Sequence, residues 1–304
     1  MSKRLNLNVL ASPRVLRSKK RLEDITSSSE ATSQYFETVA HEPKKIAKKK
    51  NKPVKIKCDE SNEFEGTSED TSKWIPENWE VTLKNIKEMR KYQTAPVDEM
   101  GCHKCADPKA SAPVSRYQSL VALMLSSQTK DQVTHAAMQR LIIYGCTPET
   151  IAATPDDVLG KLIYPVGFWK RKVEYIKRTA KILIEKYNSD IPETLKGLCE
   201  LPGVGPKMAH ICMQIAWGQV SGIGVDTHVH RICNRLEWVK KQAKTPEETR
   251  TQLEDWLPKE LWSEVNHLLV GFGQETCLPR FPKCGECLNK DICPYARKNR
   301  SVKK

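Results

Sequence analysis

The sequence predicts a mainly α-helical fold on three observations. Apolar residues recur at helical spacing in one segment after another, strand-like alternation is nearly absent, and short Gly/Pro turns separate the periodic runs. No repeat of solenoid length is present. Trp79, Leu83 and Ile86 fall at i, i+4 and i+7 behind Asn78, which is expected to cap that helix. Leu120, Val121, Leu123 and Met124 open a buried helix, and Val173, Ile176 and Ile182 mark another. Met208, Ile211, Cys212 and Ile215 form an i, i+3, i+4, i+7 stripe, read as the buried face of its helix.

Residues 1–72 stand outside this pattern. They mix Ser, Thr, Glu and Lys with few apolar residues, too little apolar surface to offset the entropy of ordering them, so a disordered tail is expected. Its basic clusters, Arg17-Ser18-Lys19-Lys20-Arg21 and Lys44-Lys45 with Lys48-Lys49-Lys50, fit nuclear import or a plain solvated charge run. The seven basic and no acidic residues of 1–22 add a bias shared with mitochondrial transit peptides. The expected location is the nucleus, with the mitochondrion open.

At 304 residues the chain has room for one large or two ordinary domains. Its 50 Lys and Arg against 37 Asp and Glu leave +13, a balance that favours a polyanionic partner. Residues 1–72 hold 15 basic and 11 acidic residues, so +4 of that charge lies there and +9 in the remainder. The part that folds is therefore basic in its own right. No apolar run approaches the roughly 20 residues that cross a bilayer, so a soluble intracellular protein without a membrane partner is expected. Eleven cysteines, an odd number, do not read as a secreted disulfide framework, which leaves metal ligation for any clustered subset.

Four features carry chemistry. Leu201-Pro202-Gly203-Val204-Gly205-Pro206-Lys207 lies between two helical patterns and reads as helix, tight hairpin, helix. Gly203 and Gly205 let the backbone turn sharply and approach another surface, and Pro206 suits the first position of the second helix. Exposed N–H groups there form a ready phosphate site, although an ordinary helix connector has the same appearance. Lys207 follows, bordering the stripe of its helix. The positive end of the helix dipole favours a neutral, nucleophilic amine at that place; a phosphate-contacting or merely solvated lysine is the other reading. In Val225-Asp226-Thr227-His228-Val229-His230-Arg231, Asp226 stands at the start of a further helix, as a plain N-cap or as a functional carboxylate. His228 and His230, two apart, point to different faces and make no metal pair. Finally, Cys277, Cys284, Cys287 and Cys293 are spaced C-x6-C-x2-C-x5-C, which suits zinc or an iron–sulfur cluster and tilts toward [4Fe–4S], because structural zinc prefers two close pairs. Cys102 and Cys105 form a lone C-x2-C and are expected to be loop thiols without metal.

The hairpin with Lys207, the Val225–Arg235 segment, Ser126-Ser127-Gln128-Thr129-Lys130-Asp131 and the four-cysteine loop resemble, in this order, the endonuclease III family over roughly residues 76–296. The resemblance implies a two-lobed helix-hairpin-helix DNA glycosylase fold. Residues 115–225 would form a six-helix barrel; 73–114 and 226–304 would form the lobe that carries a [4Fe–4S] cluster; 1–72 would be the variable tail of eukaryotic members. It implies a monomeric, bifunctional DNA glycosylase and AP lyase of base-excision repair, open to other repair proteins as partners. Such an enzyme acts on double-stranded DNA that contains oxidised pyrimidines or abasic sites. Carried over by residue, Lys207 is the nucleophile, Asp226 its activating carboxylate and Cys277, Cys284, Cys287 and Cys293 the cluster ligands. Gln128 fills the space left by the everted nucleotide, and Phe168 is the helix wedge. Arg280 and Lys283, inside the cysteine loop, are placed to meet phosphates. Pro206 departs from the pattern, since bacterial members tend to carry a basic residue there.

Two rivals frame the reading. A monofunctional glycosylase of the adenine-mismatch type lacks the hairpin lysine and uses an acid where Leu120–Thr129 here holds no carboxylate. The residues after Cys293 are also expected to leave no room for that type's further domain. A non-enzymatic DNA-binding module would hold zinc at the cysteines and use Lys207 on a phosphate.

Overall fold

The computed structural model describes residues 74–301, so the expected disordered tail and its targeting clusters lie outside the described residues. Within them the chain is helical and no β-strand occurs. The helices run α1 Trp79–Met89, α2 Pro96–Met100, α3 Ala112–Ser126, α4 Asp131–Tyr144, α5 Pro148–Ala153, α6 Asp156–Ile163, α7 Trp169–Tyr187, α8 Leu195–Cys199, α9 Pro206–Trp217, α10 Thr227–Leu236, α11 Pro246–Trp256, α12 Trp262–Glu275 and α13 Pro294–Ser301. None is long and apolar enough to cross a membrane.

Their boundaries follow local rules. Thr147, Thr194 and Thr245 each accept a backbone N–H at the start of α5, α8 and α11, and proline occupies the first turn of α3, α5, α9 and α11. Asn78 does precede α1, but in a left-handed backbone (φ 54°) with no side-chain capping bond. Asparagine tolerates that conformation, and here it bends the chain rather than capping it.

Two apolar cores result. The first is built from α3–α9, around Leu120, Leu123, Met138, Leu159, Ile176, Leu198 and Cys212. The second joins Leu83 and Ile86 of α1 to Val229, Ile232, Leu253, Leu269 and Phe272. Chain order is thus broken in space, because α1 packs with the C-terminal helices.

Polar ties cross between the cores. Val97 N–H donates to Gln274 Oε1 (3.0 Å), and Gln274 Nε2 donates to Asp131 Oδ2 (2.7 Å). Beneath them Arg90 bonds both oxygens of buried Asp98 (2.7 Å each), which also meets His267 at 2.7 Å. Burial acts to raise the Asp98 carboxyl, but Arg90 and His267 together hold it below its ordinary value.

Cys102–Lys104 is a single 3₁₀ turn, and Cys105 belongs to the first core, fully buried, with its thiol on Gly101 O (3.4 Å). Both lie in the connection between α2 and α3, as expected of loop thiols, but Cys105 is buried rather than exposed there. The short turn places one sulfur inward and the other on the wall of a cavity.

Candidate active site

A cavity of about 930 Å³ opens between the two cores. On one side lie the turn after α3 and the exposed flank of α9; on the other lie the start of α10 and the inner face of α12, with Leu278 and Pro279 at the rim.

The hairpin between α8 and α9 closes with Val204 N–H on Leu201 O (3.1 Å). Gly203 has φ +80°, and a Cβ there would stand 2.6 Å from the Tyr175 ring, so only glycine lets the turn lie flush on α7. Gly205, the N-cap residue of α9, has open space where a side chain would be. Its backbone is therefore accessible, as a phosphate contact requires. Pro206 takes the first helical position as expected, and Lys207 the second, half-buried on the cavity wall.

The stripe on α9 differs from its expected role. Ala209, His210, Cys212 and Met213 are the buried residues, whereas Met208, Ile211 and Ile215 line the cavity beside Lys207 and Gln214. The helix is apolar on two flanks, one in the core and one walling the cleft. That puts Lys207 on the open flank. His210 packs away from the cavity, its Nδ1 3.0 Å from Ser221 Oγ, and burial lowers its imidazole to about 4, so it is neutral.

Asp226 is the N-cap of α10, its Oδ1 accepting from Val229 N–H at 2.8 Å, and it also lines the cavity. Capping and a functional carboxylate, posed as alternatives by the sequence, are thus compatible at one residue. His228 lines the cavity while His230 bonds Thr249 Oγ1 (2.7 Å), the divergence expected of residues two apart.

Gln128 lies in the turn after α3 with a left-handed backbone (φ 51°) and lines the cavity. Lys207, Asp226 and Gln128, far apart in sequence, therefore share one cleft. Phe168, Gly203, Gly205, Arg280 and Lys283 lie outside its lining. Phe168 is 68% exposed in a left-handed backbone (φ 55°) just ahead of α7. Gly167 brings it near Gln128, since Gly167 N–H donates to Thr129 Oγ1 (3.1 Å) and a Cβ on Gly167 would meet Gln128 O at 2.5 Å.

Two further cavity residues had no role in the sequence reading. Burial raises the Asp131 carboxyl; the charge of Asp226 adds to the rise, while Gln274, His228 and Lys207 oppose it. Burial likewise raises the Cys102 thiol, opposed by Ser126 and Lys207. Asp131 is the first residue of α4, but nothing in its spacing pointed toward Lys207.

Cys277, Cys284, Cys287 and Cys293 border one small cavity of about 20 Å³ beside Arg235 and Tyr295. Arg235 donates to Cys277 Sγ (3.2 Å) and to the carbonyls of Leu278 (2.7 Å) and Pro279 (3.0 Å). Buried Asn289 pins the loop to α1 through Asn85 (2.8 Å) and Thr82 O (3.2 Å). Burial, with the neighbouring thiols, pushes the Cys287 thiol up to about 11 and raises that of Cys293. Among the described residues no group of three or more His, Cys, Asp or Glu side chains is arranged to hold a metal ion. The donor set, four thiols facing one space, fits a multi-iron group. Arg280 and Lys283 are exposed on the same loop.

The family model for the HhH-GPD superfamily base excision DNA repair protein matches residues 121–259. An endonuclease III-like protein 1 of Gallus gallus is 63% identical over 226 residues, covering 74% of this chain and 80% of that protein. Among solved structures, a trapped covalent endonuclease III–DNA intermediate in an estranged-adenine complex matches with 28% identity and a TM-score of 0.63, over 73% of this chain and 96% of that one. A non-covalent endonuclease III–DNA complex matches with 29% identity and a TM-score of 0.62, over 73% and 98%.

Proposed function

Because the chain belongs to the endonuclease III family of base-excision repair DNA glycosylases, we propose that it is bifunctional, removing oxidised pyrimidines from duplex DNA and then nicking the abasic strand through a lysine Schiff base. The observation that carries this reading is the convergence of Lys207, Asp226 and Gln128 on one cleft between the cores. The covalent intermediate trapped in a structural neighbour supports the same chemistry.

A base within a duplex is out of reach, so the nucleotide must be everted, at a cost of a few kcal/mol that is smaller for a damaged base. Gln128 fills the gap and Phe168 wedges the stack. The Lys207 amine then forms a bond to C1′ as the base leaves with the electrons of the glycosidic bond, and Asp226 offsets the positive charge on the sugar. Loss of the amine protons and opening of the sugar ring give the imine. The imine acidifies C2′, a proton leaves, and the C3′–O bond breaks to release the 3′ phosphate. Borohydride added during reaction with an oligonucleotide bearing one oxidised pyrimidine is expected to yield a stable protein–DNA adduct; excision without any adduct would leave a monofunctional enzyme.

The four cysteines would hold a [4Fe–4S] cluster, which supplies rigidity and electrostatics to the loop rather than a step of the reaction. The purified protein is expected to be brown and to contain iron and inorganic sulfide; a colourless protein with a single zinc would favour the zinc reading. Arg280 and Lys283 are held on this loop toward phosphates. Arg280→Ala with Lys283→Ala is expected to weaken binding to damaged and undamaged DNA alike and to flatten the log–log salt dependence by up to about 2. Loss of lesion binding alone would count against that role.

A further inference from the structure

We propose that Lys172 is a positioning residue that locks Gln128 and Phe168 into one rigid projection toward DNA, an inference that rests on the glycosylase reading above. Lys172 lies in α7, one turn after Phe168, and its backbone N–H donates to Phe168 O (3.1 Å). Its side chain crosses to the other loop. There the ammonium donates to Leu125 O (2.7 Å), Ser127 O (2.6 Å) and Thr129 Oγ1 (3.2 Å), acceptors on both sides of Gln128. An ammonium has three protons, and each has a partner.

Thr129 extends the tie. Its hydroxyl donates to Ser127 O (3.1 Å) and accepts from Gly167 N–H (3.1 Å), so Lys172, Thr129 and Gly167 join the end of α3 to the start of α7. Gln128 and Phe168 are both non-glycine residues in left-handed backbone, with φ 51° and 55°. Such conformations persist only where the surroundings over-determine them. Here the surroundings are this network.

Lys172 is 6% exposed, and all three acceptors are uncharged. Burying an ammonium without a carboxylate is an expensive way to fill space. Burial also draws Lys172 down to about 8. The side chain therefore contributes geometry that an apolar residue of the same length would not. Lys207 binds neither loop in this network, so Lys207 and Lys172 have separate tasks: one reacts, the other holds the parts that open the duplex.

The test compares single-turnover excision by wild-type protein and Lys172→Met on two duplexes. In one the lesion is paired; in the other it faces an abasic analogue, so little stacking or pairing remains to be opened. For the paired lesion, Lys172→Met is expected to be slowed roughly tenfold to hundredfold, as loss of ångström-level placement does. For the unpaired lesion the loss should be under about threefold, because the projection then has little to do. Equal losses on both duplexes, or none on either, would overturn the inference. If Lys172→Met does not fold, Thr129→Val removes the bridging hydroxyl and must show the same selective loss for the inference to stand. Failure of wild-type protein to excise or to form a borohydride adduct would instead strike the function proposed above.

Discussion

Lys207→Gln is expected to abolish both the borohydride adduct and strand nicking while leaving affinity for damaged DNA largely in place. Glutamine keeps a helix-compatible side chain at the second position of α9, so the hairpin and the cavity wall should persist. What disappears is the only atom on that wall proposed to bond C1′, and without the covalent step no imine exists to acidify C2′. The competing view makes Lys207 a phosphate contact. Its loss would then weaken binding uniformly and lower the salt slope by about 1, with residual nicking in proportion to DNA bound. Adduct yield, nicking rate and salt-dependent affinity measured on the same variant separate the two. An adduct that persists in Lys207→Gln ends the case for this lysine.

Much of this arrangement was legible in the sequence because it depends on local rules. Glycine at a turn that lies flush on a neighbouring helix, proline at a first helical position and aspartate ahead of a helix each have a short-range cause, and Gly203, Pro206 and Asp226 occupy those places. What escaped depends on contacts between distant segments. Periodicity marked one apolar flank of α9, but it could not tell a flank that faces the core from one that faces a cleft, and α9 has both. Lys172 reads as one more lysine in a basic helix, since its buried partners come from residues about 45 positions earlier. Asp131 joins the cavity only because α4 begins opposite α12. The four-cysteine loop had the opposite character: its spacing alone marked four thiols as one ligand set, and they border one small cavity.

Asp226→Asn is expected to give a folded protein whose base excision is slowed by roughly 10²–10⁴-fold, the range for loss of one acid–base or electrostatic group. The structure makes this a sharp test because Asp226 has a structural task as well: Oδ1 accepts from Val229 N–H at 2.8 Å. Asparagine caps a helix about as well as aspartate and keeps that acceptor, so the helix should lose only the favourable charge at its N-terminus, at most about 1 kcal/mol. Asp226→Ala loses the cap as well as the charge and should cost about 1 kcal/mol more than Asp226→Asn, a further fall of roughly 2–4 °C in Tm for a folded part of this size. If Asp226 were a cap and nothing else, the asparagine variant would excise at the wild-type rate and the alanine variant would differ only in Tm. If it stabilises the charged sugar, the two variants should be slowed to a similar degree while their melting temperatures diverge. Rate then follows the charge and stability follows the acceptor oxygen, and because Val229 N–H reads only the acceptor, single-turnover excision and thermal unfolding on the same pair of variants assign each property to its own cause.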